Sequence, residues 1–122
     1  MKILLVDDNE ELREFMALSL SEAGIETVTA ASASEALVKA AADRFDAFVL
    51  DSFLGQDDGL DLATRLSSAK GGKATPILLM STISTALARR MATAAGCTEF
   101  IVKPFGFTPF VELVRGLARG RK

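Results

Sequence analysis

Residues 2–6 of the chain read Lys-Ile-Leu-Leu-Val, and Asp7 and Asp8 follow at once. Four consecutive apolar residues in so short a run predict a strand that is buried on both faces. A second apolar run, Ala47–Leu50, leads in the same way into Asp51. Strands buried on both faces occur in parallel sheets with helices on either side, so the two runs indicate an α/β fold.

Strand and helix patterns alternate along the rest of the chain. The predicted strands are Lys2–Val6, Ile25–Ala30, Ala47–Leu50, Ile77–Met80 and Phe100–Val102. Helical spacing of apolar residues predicts helices over Asn9–Ala23, Leu60–Ser68 and Ser84–Ala95. Another helix is predicted to begin at a capping box, Ser32–Glu35. The last predicted helix has Thr108 as its N-cap and Pro109 as its first residue. A Gly- and Lys-rich turn is predicted at residues 70–73.

Five strand–helix units predict one domain over residues 1–122. The expected architecture is a flavodoxin-like, doubly wound, five-stranded parallel sheet with strand order 2-1-3-4-5 and five helices, because right-handed crossovers leave few other topologies. Ligands of such sheets bind at the carboxyl ends of the strands, at the switch point between strands 1 and 3. The residues that follow these strands are therefore the candidate site.

Composition excludes several classes of protein. The 122 residues are 49% hydrophobic and 25% charged, which is typical of a globular domain. There is no histidine, so a histidine–zinc site, a serine–histidine triad and a phosphohistidine on this chain are excluded. The single cysteine, Cys97, cannot form an internal disulfide, and neither an 18-residue apolar run nor a signal-peptide pattern is present. We expect a cytoplasmic domain without membrane contact.

The charges are divided unevenly between the two halves of the chain. Residues 1–61 carry 4 basic and 14 acidic side chains, whereas residues 62–122 carry 10 basic and 2 acidic ones. One interpretation is an acidic pocket built from the first half with a cation supplied by the second; the alternative is chance plus a basic tail. Because the basic residues are not interleaved with aromatic ones and the pI is near 5.1, nucleic-acid binding by this domain is not expected.

Chemically complementary residues follow four of the predicted strands. Asp7 and Asp8 come after strand 1, Asp51 after strand 3, Ser81 after strand 4 and Lys103 after strand 5. Three adjacent carboxylates repel one another and raise their pKa values, and a divalent cation relieves this repulsion. Mg²⁺ suits such a site because it binds through one or two carboxylates and leaves positions for phosphate oxygens.

The same set of residues predicts phosphorylation of an aspartate. Lys103 and Ser81 could hold phosphoryl oxygens, and a carboxylate such as Asp51 is a competent nucleophile for a phosphoryl group. Taken singly, the aspartates could be helix caps or turn residues, and Lys103 and Ser81 could be ordinary surface and loop residues. Their joint occurrence at one sheet edge favours the functional interpretation.

Six short segments of the chain together form a recognisable pattern: Ile3–Asn9, Val49–Asp51, Asp58–Leu60, Leu78–Ser81, Ala95–Gly96 and Phe100–Phe105. In this order and spacing, the sequence resembles the receiver domain of two-component response regulators over essentially its whole length, and it is similar to the single-domain chemotaxis regulators. The resemblance implies that Asp51 accepts a phosphoryl group from a phosphohistidine on a histidine kinase or a histidine phosphotransfer protein. It further implies that Mg²⁺ is held by Asp7 or Asp8, with Asp8 favoured, together with Asp51 and the backbone carbonyl of Phe53.

The resemblance also implies a switching mechanism. Ser81 and Lys103 would bind the phosphoryl oxygens, and the Lys103–Pro104 peptide bond would be cis. Ser81 would then move toward the phosphoryl group and Phe100 would turn inward, which changes the surface of helix 4, strand 5 and helix 5 that a downstream effector protein or domain contacts. A Phe100 side chain fixed in one rotamer is the alternative, and the domain would be a monomer or a phosphorylation-dependent dimer.

Four positions depart from the family pattern. Gly55 stands where proline is common, and Thr82 stands where alanine or glycine is preferred, so its bulk could crowd Asp51. Phe53 and Ile83 are apolar at the two positions that tune hydrolysis in the family. They offer no side chain to position a water molecule, so we expect a long-lived phosphoaspartate unless a phosphatase partner acts on it.

Two competing functions remain open from the sequence. The chain could be a constitutive receiver-fold interaction module that phosphorylation does not regulate. An aspartate-dependent phosphohydrolase would need a second acid two residues after the nucleophile, where this chain has Phe53. We therefore expect catalysis only of the domain's own phosphoryl transfer and loss, in a stand-alone protein or in a piece of a longer regulator.

Overall fold

The five long strands form one parallel sheet. The computed structural model describes residues 1–68 and 75–120, so the turn predicted at residues 70–73 lies outside the described residues. The strands are β1 (Lys2–Val6), β2 (Glu26–Ala30), β3 (Ala47–Asp51), β4 (Ile77–Ser81) and β5 (Glu99–Val102). Their order across the sheet is β2-β1-β3-β4-β5, which confirms the predicted topology.

Five helices cover the two faces of this sheet. They are α1 (Glu10–Glu22), α2 (Ala33–Ala42), α3 (Gly59–Ser67), α4 (Ala86–Ala94) and α5 (Phe107–Ala118). One apolar core lies under α1 and α5, and a second lies under α2, α3 and α4. Within the described residues, no helix is long and apolar enough to cross a bilayer.

Side-chain caps explain where four of the helices begin. Asn9, Ser32, Asp58 and Thr85 each accept a hydrogen bond from a backbone N–H two or three residues further along the chain. The capping box of α2 differs in one detail from the expected pattern, because Glu35 Oε1 accepts from the N–H of Ala31 at 2.9 Å instead of that of Ser32.

The start of α5 is a correction to the sequence prediction. Gly106 is the N-cap and makes no side-chain hydrogen bond, so Thr108 and Pro109 lie inside the first turn and not at its start. Phe107 is the first helical residue, and its ring packs edge-on against that of Phe15 of α1, with 4.5 Å between their centroids. Proline is tolerated at Pro109 because backbone N–H groups of the first turn have no partner within the helix.

The strand register aligns the carboxyl ends of the central strands. Val6 of β1 lies opposite Leu50 of β3, and Asp51 lies opposite Met80 of β4. The last residue of β4, Ser81, lies opposite Val102 of β5. The residues that follow or end these strands therefore reach one edge of the sheet.

Candidate functional site

The phosphoacceptor candidate Asp51 forms an ion pair at the carboxyl edge of the sheet. Lys103 Nζ lies 2.9 Å from Asp51 Oδ2 and 3.8 Å from Asp7 Oδ2. The backbone N–H of Lys103 donates to the carbonyl of Ser81 at 2.8 Å, which fixes the start of the lysine side chain. The Lys103–Pro104 peptide bond is cis, as the resemblance implies.

Asp7 is fully buried at the centre of this site. Its Oδ1 accepts a hydrogen bond from the N–H of Asn9 at 2.9 Å, whereas no hydrogen-bond partner for Oδ2 lies among the described residues. Burial raises the pKa of the Asp7 carboxyl above its ordinary value; the negative charges of Asp51 and Asp8 add to this rise, and the Asn9 N–H and Lys103 oppose it. A buried carboxylate oxygen without a partner is costly unless a cation or a donor binds it.

Asp8, in contrast, is exposed, and its position is set by the backbone around it. The N–H of Asp7 donates to Ala30 O at 3.2 Å, and Arg13 Nη1 donates to Asp7 O at 2.8 Å. These contacts hold the turn between β1 and α1. The sequence analysis missed Arg13, and its one sequence signal is its place in the first turns of the helix that follows the acid pair.

The three carboxylates converge closely enough to share one cation. Asp7, Asp8 and Asp51 each offer an oxygen, and these oxygens lie within 4.8 Å of one another. Hard carboxylate oxygens are the ligands that Mg²⁺ prefers. Asp7 Oδ2, which has no hydrogen-bond partner among the described residues, lies 3.8 Å from Lys103 Nζ. Gly55, at a φ of 66°, lies beside this cluster, since a Cβ built on it would be 3.5 Å from Asp8 Oδ2. The residues present therefore fit a magnesium ion.

Gly59 explains why the loop after Asp51 can close so tightly. A Cβ at this position would overlap the carbonyl oxygen of Asp51 and would lie only 2.8 Å from the Cα of Ser52. The N–H of Gly59 also donates to Ser52 O at 3.0 Å. Only glycine fits here, which gives a physical reason for the Asp58-Gly59-Leu60 motif.

Neither Ser81 nor Phe53 has a side-chain bond to Lys103 among the described contacts. Ser81 is buried, and its Oγ accepts the N–H of Ile83 at 3.0 Å. The N–H of Phe53 donates to Asp51 Oδ1 at 3.3 Å, which orients the carboxylate. The hydroxyl of Ser81 still has its own hydrogen free to donate.

Phe100, the predicted switch residue, is half-buried against the core under α2, α3 and α4. The guanidinium of Arg89, on α4, lies over its ring at 4.7 Å from the centroid. This cation–π contact joins α4 to β5. The sequence analysis did not identify Arg89, because spacing along a helix does not show which strand residue it meets.

Comparison with known proteins agrees with this geometry. The family model of the response regulator receiver domain matches residues 3–115. Response regulator MprA of Mycobacterium avium is 35% identical over 122 residues, which are 100% of this chain and 53% of that protein. The structure of the chemotaxis response regulator CheY4 of Vibrio cholerae has a TM-score of 0.88 and 31% identity, and the match covers 95% of this chain and 97% of that one.

A further solved structure gives the same result. The non-phosphorylated HemR receiver domain of Leptospira biflexa has a TM-score of 0.88 and 29% identity, over 99% of this chain and 96% of that one. The chain spans about half the length of the curated relatives it matches. The family match, the similar structures and the strand order agree over nearly the whole chain. The chain therefore belongs to the response regulator receiver domain family of two-component systems.

Proposed function

We propose that Asp51 accepts a phosphoryl group from a phosphohistidine on a partner histidine kinase or histidine phosphotransfer protein. The observation that carries this proposal is the ion pair between Lys103 Nζ and Asp51 Oδ2 at 2.9 Å, beside the carboxylates of Asp7 and Asp8. Lys103 contacts Oδ2, and Oδ1 accepts only the N–H of Phe53 at 3.3 Å among the described contacts, so Oδ1 is the oxygen available for attack on phosphorus.

In the proposed transfer, an Asp51 oxygen attacks the phosphorus atom. The bond between phosphorus and the partner's imidazole nitrogen breaks, the electron pair stays on that nitrogen, and an acyl phosphate forms on Asp51. Lys103 Nζ moves its contact from the carboxylate to a phosphoryl oxygen, and the Ser81 hydroxyl donates to another. In the later hydrolysis, water attacks phosphorus, the bond between phosphorus and the Asp51 oxygen breaks, and the Asp51 carboxylate and inorganic phosphate are formed.

The acidic residues would hold Mg²⁺ in this reaction. Asp8 and Asp51, with Asp7 and the backbone carbonyl of Phe53, are the proposed ligands. When bound, the ion would neutralise negative charge that develops on the phosphoryl oxygens. Arg13 keeps the Asp7 carbonyl in place, so the turn that carries Asp7 and Asp8 stays fixed when a ligand enters.

Intact-mass spectrometry tests the proposal. The protein is incubated with acetyl phosphate, with and without Mg²⁺, alongside Asp51→Asn and the matched control Asp61→Asn, an exposed aspartate of α3. We expect one added phosphoryl group that depends on Mg²⁺, is absent in Asp51→Asn and is retained in Asp61→Asn. Absence of an adduct on the folded protein would favour the constitutive interaction module, and Thr82→Ala would then test whether that side chain blocks access.

We further propose that the phosphoaspartate is long-lived. Phe53 and Ile83 are exposed next to the site and carry no polar group that could orient a water molecule for attack. Introducing such a group by Phe53→Asn is expected to speed the loss of phosphate, which release of inorganic phosphate at neutral pH measures. Fast loss from the unmodified protein with Mg²⁺ would contradict the proposal.

The output proposed for the domain is a change in the surface of α4, β5 and α5, in the cytoplasm, read by an effector protein or domain. Aromatic NMR signals of Phe100, recorded before and after phosphorylation, test the switching step. A changed ring environment supports it, and an unchanged one indicates a fixed rotamer. Sedimentation with and without acetyl phosphate distinguishes a monomer from a phosphorylation-dependent dimer.

A further inference from the structure

A groove opens next to Ser81, between α4 and the loop that joins β3 to α3. Its volume is about 570 Å³, within the range of sites that hold ligands or clusters of side chains. Its apolar lining is Phe53, Leu60, Leu79, Ile83, Leu87, Met91 and Phe100. The floor is formed by strand residues, and the two walls are formed by α4 and the loop.

Large apolar side chains are exposed in this groove. Phe53 is 62% exposed, Ile83 47%, Leu87 58% and Met91 48%. These four are half of the large apolar side chains that are exposed within the described part of the chain. Single exposed apolar residues are ordinary, whereas several that line one groove are typical of a surface that binds another molecule.

The charged residues of the groove are acidic. Among the described residues that line it, Asp57 and Asp58 carry charge, and both are exposed on the loop wall. Each of these carboxylates accepts one backbone N–H, from Ala33 at 3.1 Å and from Leu60 at 2.9 Å, through one oxygen. The second oxygen of each carboxylate makes no hydrogen bond among the described contacts, while Arg89 lies over the Phe100 ring on the α4 side.

We propose that this groove binds a segment of a partner protein that carries large apolar side chains together with lysine or arginine. The apolar side chains would bury Leu87 and Met91, and the cations would pair with Asp57 and Asp58. Complementary charge favours such a partner over an acidic one with the same apolar residues. This surface lies on the side of α4 that faces the β3–α3 loop, and binding is proposed for the unphosphorylated protein.

Two synthetic peptides test the proposal. They share the same leucines and one tryptophan, and they differ in carrying either lysines or glutamates. Because the chain has no tryptophan and no tyrosine, the fluorescence of the peptide reports the complex without background. We expect the lysine peptide to bind at least about tenfold more tightly than the glutamate peptide at low salt, and less tightly as salt increases.

Matched variants locate the binding site. Leu87→Lys is expected to weaken binding of the lysine peptide by about tenfold, whereas Val38→Lys, which adds the same charge at an exposed position of α2, leaves it unchanged. Asp57→Asn keeps an acceptor for the Ala33 N–H but removes the charge, and it should weaken binding several-fold more than Glu14→Gln on α1. Amide NMR shifts should change at residues 53–58 and 83–91.

Three outcomes would overturn the proposal: binding of neither peptide, equal binding of both, or equal weakening by Leu87→Lys and Val38→Lys. The titrations contain no phosphodonor and use protein with Asp51 intact. Their failure therefore leaves the phosphorylation proposal untouched, and a failure of phosphorylation leaves the groove untouched.

Discussion

Helices α4 and α5 flank the same edge strand, but they are attached to the molecule very differently. α5 buries Phe110, Val114, Leu117 and Ala118, whereas α4 buries only Ala92. Burial of apolar side chains is the main source of helix stability in a folded protein. The surface proposed for signalling therefore combines a firmly held helix with a loosely held one.

Further contacts strengthen this difference. The ring of Phe110 stacks on that of Phe105, with 4.9 Å between their centroids, and Arg115 Nη2 donates to the carbonyl of Ala23 at the end of α1, at 2.8 Å. On α4 the corresponding contacts are the cation–π contact of Arg89 with Phe100 and, after its C-terminal end, the hydrogen bond that Ser67 Oγ donates to Ala95 O at 3.2 Å. With one buried side chain and these two contacts, α4 can open locally at a lower cost than α5.

The largest expected difference comes from truncating one apolar residue on each helix. Phe110→Ala leaves a cavity in the core under α5 and should lower the free energy of unfolding by about 3–5 kcal/mol. Leu87→Ala removes an exposed side chain and should change it by less than about 0.5 kcal/mol. Urea unfolding followed by circular dichroism measures both, since the chain lacks tryptophan. Similar losses would show that α4 is anchored as firmly as α5.

Replacing one of two glycines by alanine should give the next largest changes in the free energy of unfolding, and the two changes should have opposite signs. Gly96 follows α4 at a φ of 99°, and a Cβ there would lie 2.6 Å from Ser67 Cβ, so Gly96→Ala should cost about 1–3 kcal/mol. Gly116 lies inside α5 with nothing within 4 Å of an added Cβ, and Gly116→Ala should stabilise by about 0.5–1 kcal/mol. Thermal unfolding of the two variants would contradict this interpretation if both shifts had the same sign.

The helix caps provide a smaller test. Thr85 Oγ1 accepts the N–H of Ala88 at 3.1 Å, and its loss in Thr85→Ala should cost the first turn of α4 about 1 kcal/mol. Gly106→Ser on α5, where no side chain caps the helix, should change stability by only a few tenths of a kcal/mol. Amide hydrogen exchange is the measurement: exchange in the first turns of α4 should become faster in Thr85→Ala, while α5 is unaffected.

The smallest effect is a pH dependence from Cys97, which packs beside the C-terminal end of α4. Burial raises the pKa of its thiol from 9.0 to about 11. The folded state therefore binds this proton more tightly than the unfolded state does, so the contribution to stability is complete below pH 9 and is lost as the pH rises through 11. The difference in unfolding free energy between wild type and Cys97→Ala should shrink over that range. A constant difference would indicate an exposed thiol.

The strand order and the convergence of Asp7, Asp51 and Lys103 were predictable because both follow from where apolar runs end. The start of α5 was not, because Thr108 has the stronger local capping preference, while the contact between Phe107 and Phe15 joins positions far apart in the sequence. Phe15 is one of the apolar residues of α1, yet the structure leaves it exposed beside α5.

The groove could not be predicted either. Leu87 and Met91 are four residues apart, which is the spacing of an ordinary core-facing stripe. In the structure the small residue Ala92 is the buried one, whereas Leu87 and Met91 are exposed. Sequence spacing shows that two side chains share a face of a helix, but the neighbouring elements decide whether that face is covered.

Gly59 lies against the backbone of Asp51, so this contact holds together the two ends of the loop between them. Two backbone hydrogen bonds also fix these ends: the N–H of Ser52 donates to Met80 O at 2.9 Å, and the N–H of Gly59 donates to Ser52 O. Phe53 and Leu54 also pair with Asp58 and Asp57 in a short antiparallel ladder, so the loop is held along its length. The backbone of Asp51 and the start of α3 are therefore packed too closely to move independently. This one glycine therefore links the backbone of the phosphoacceptor candidate to the loop that forms one wall of the groove.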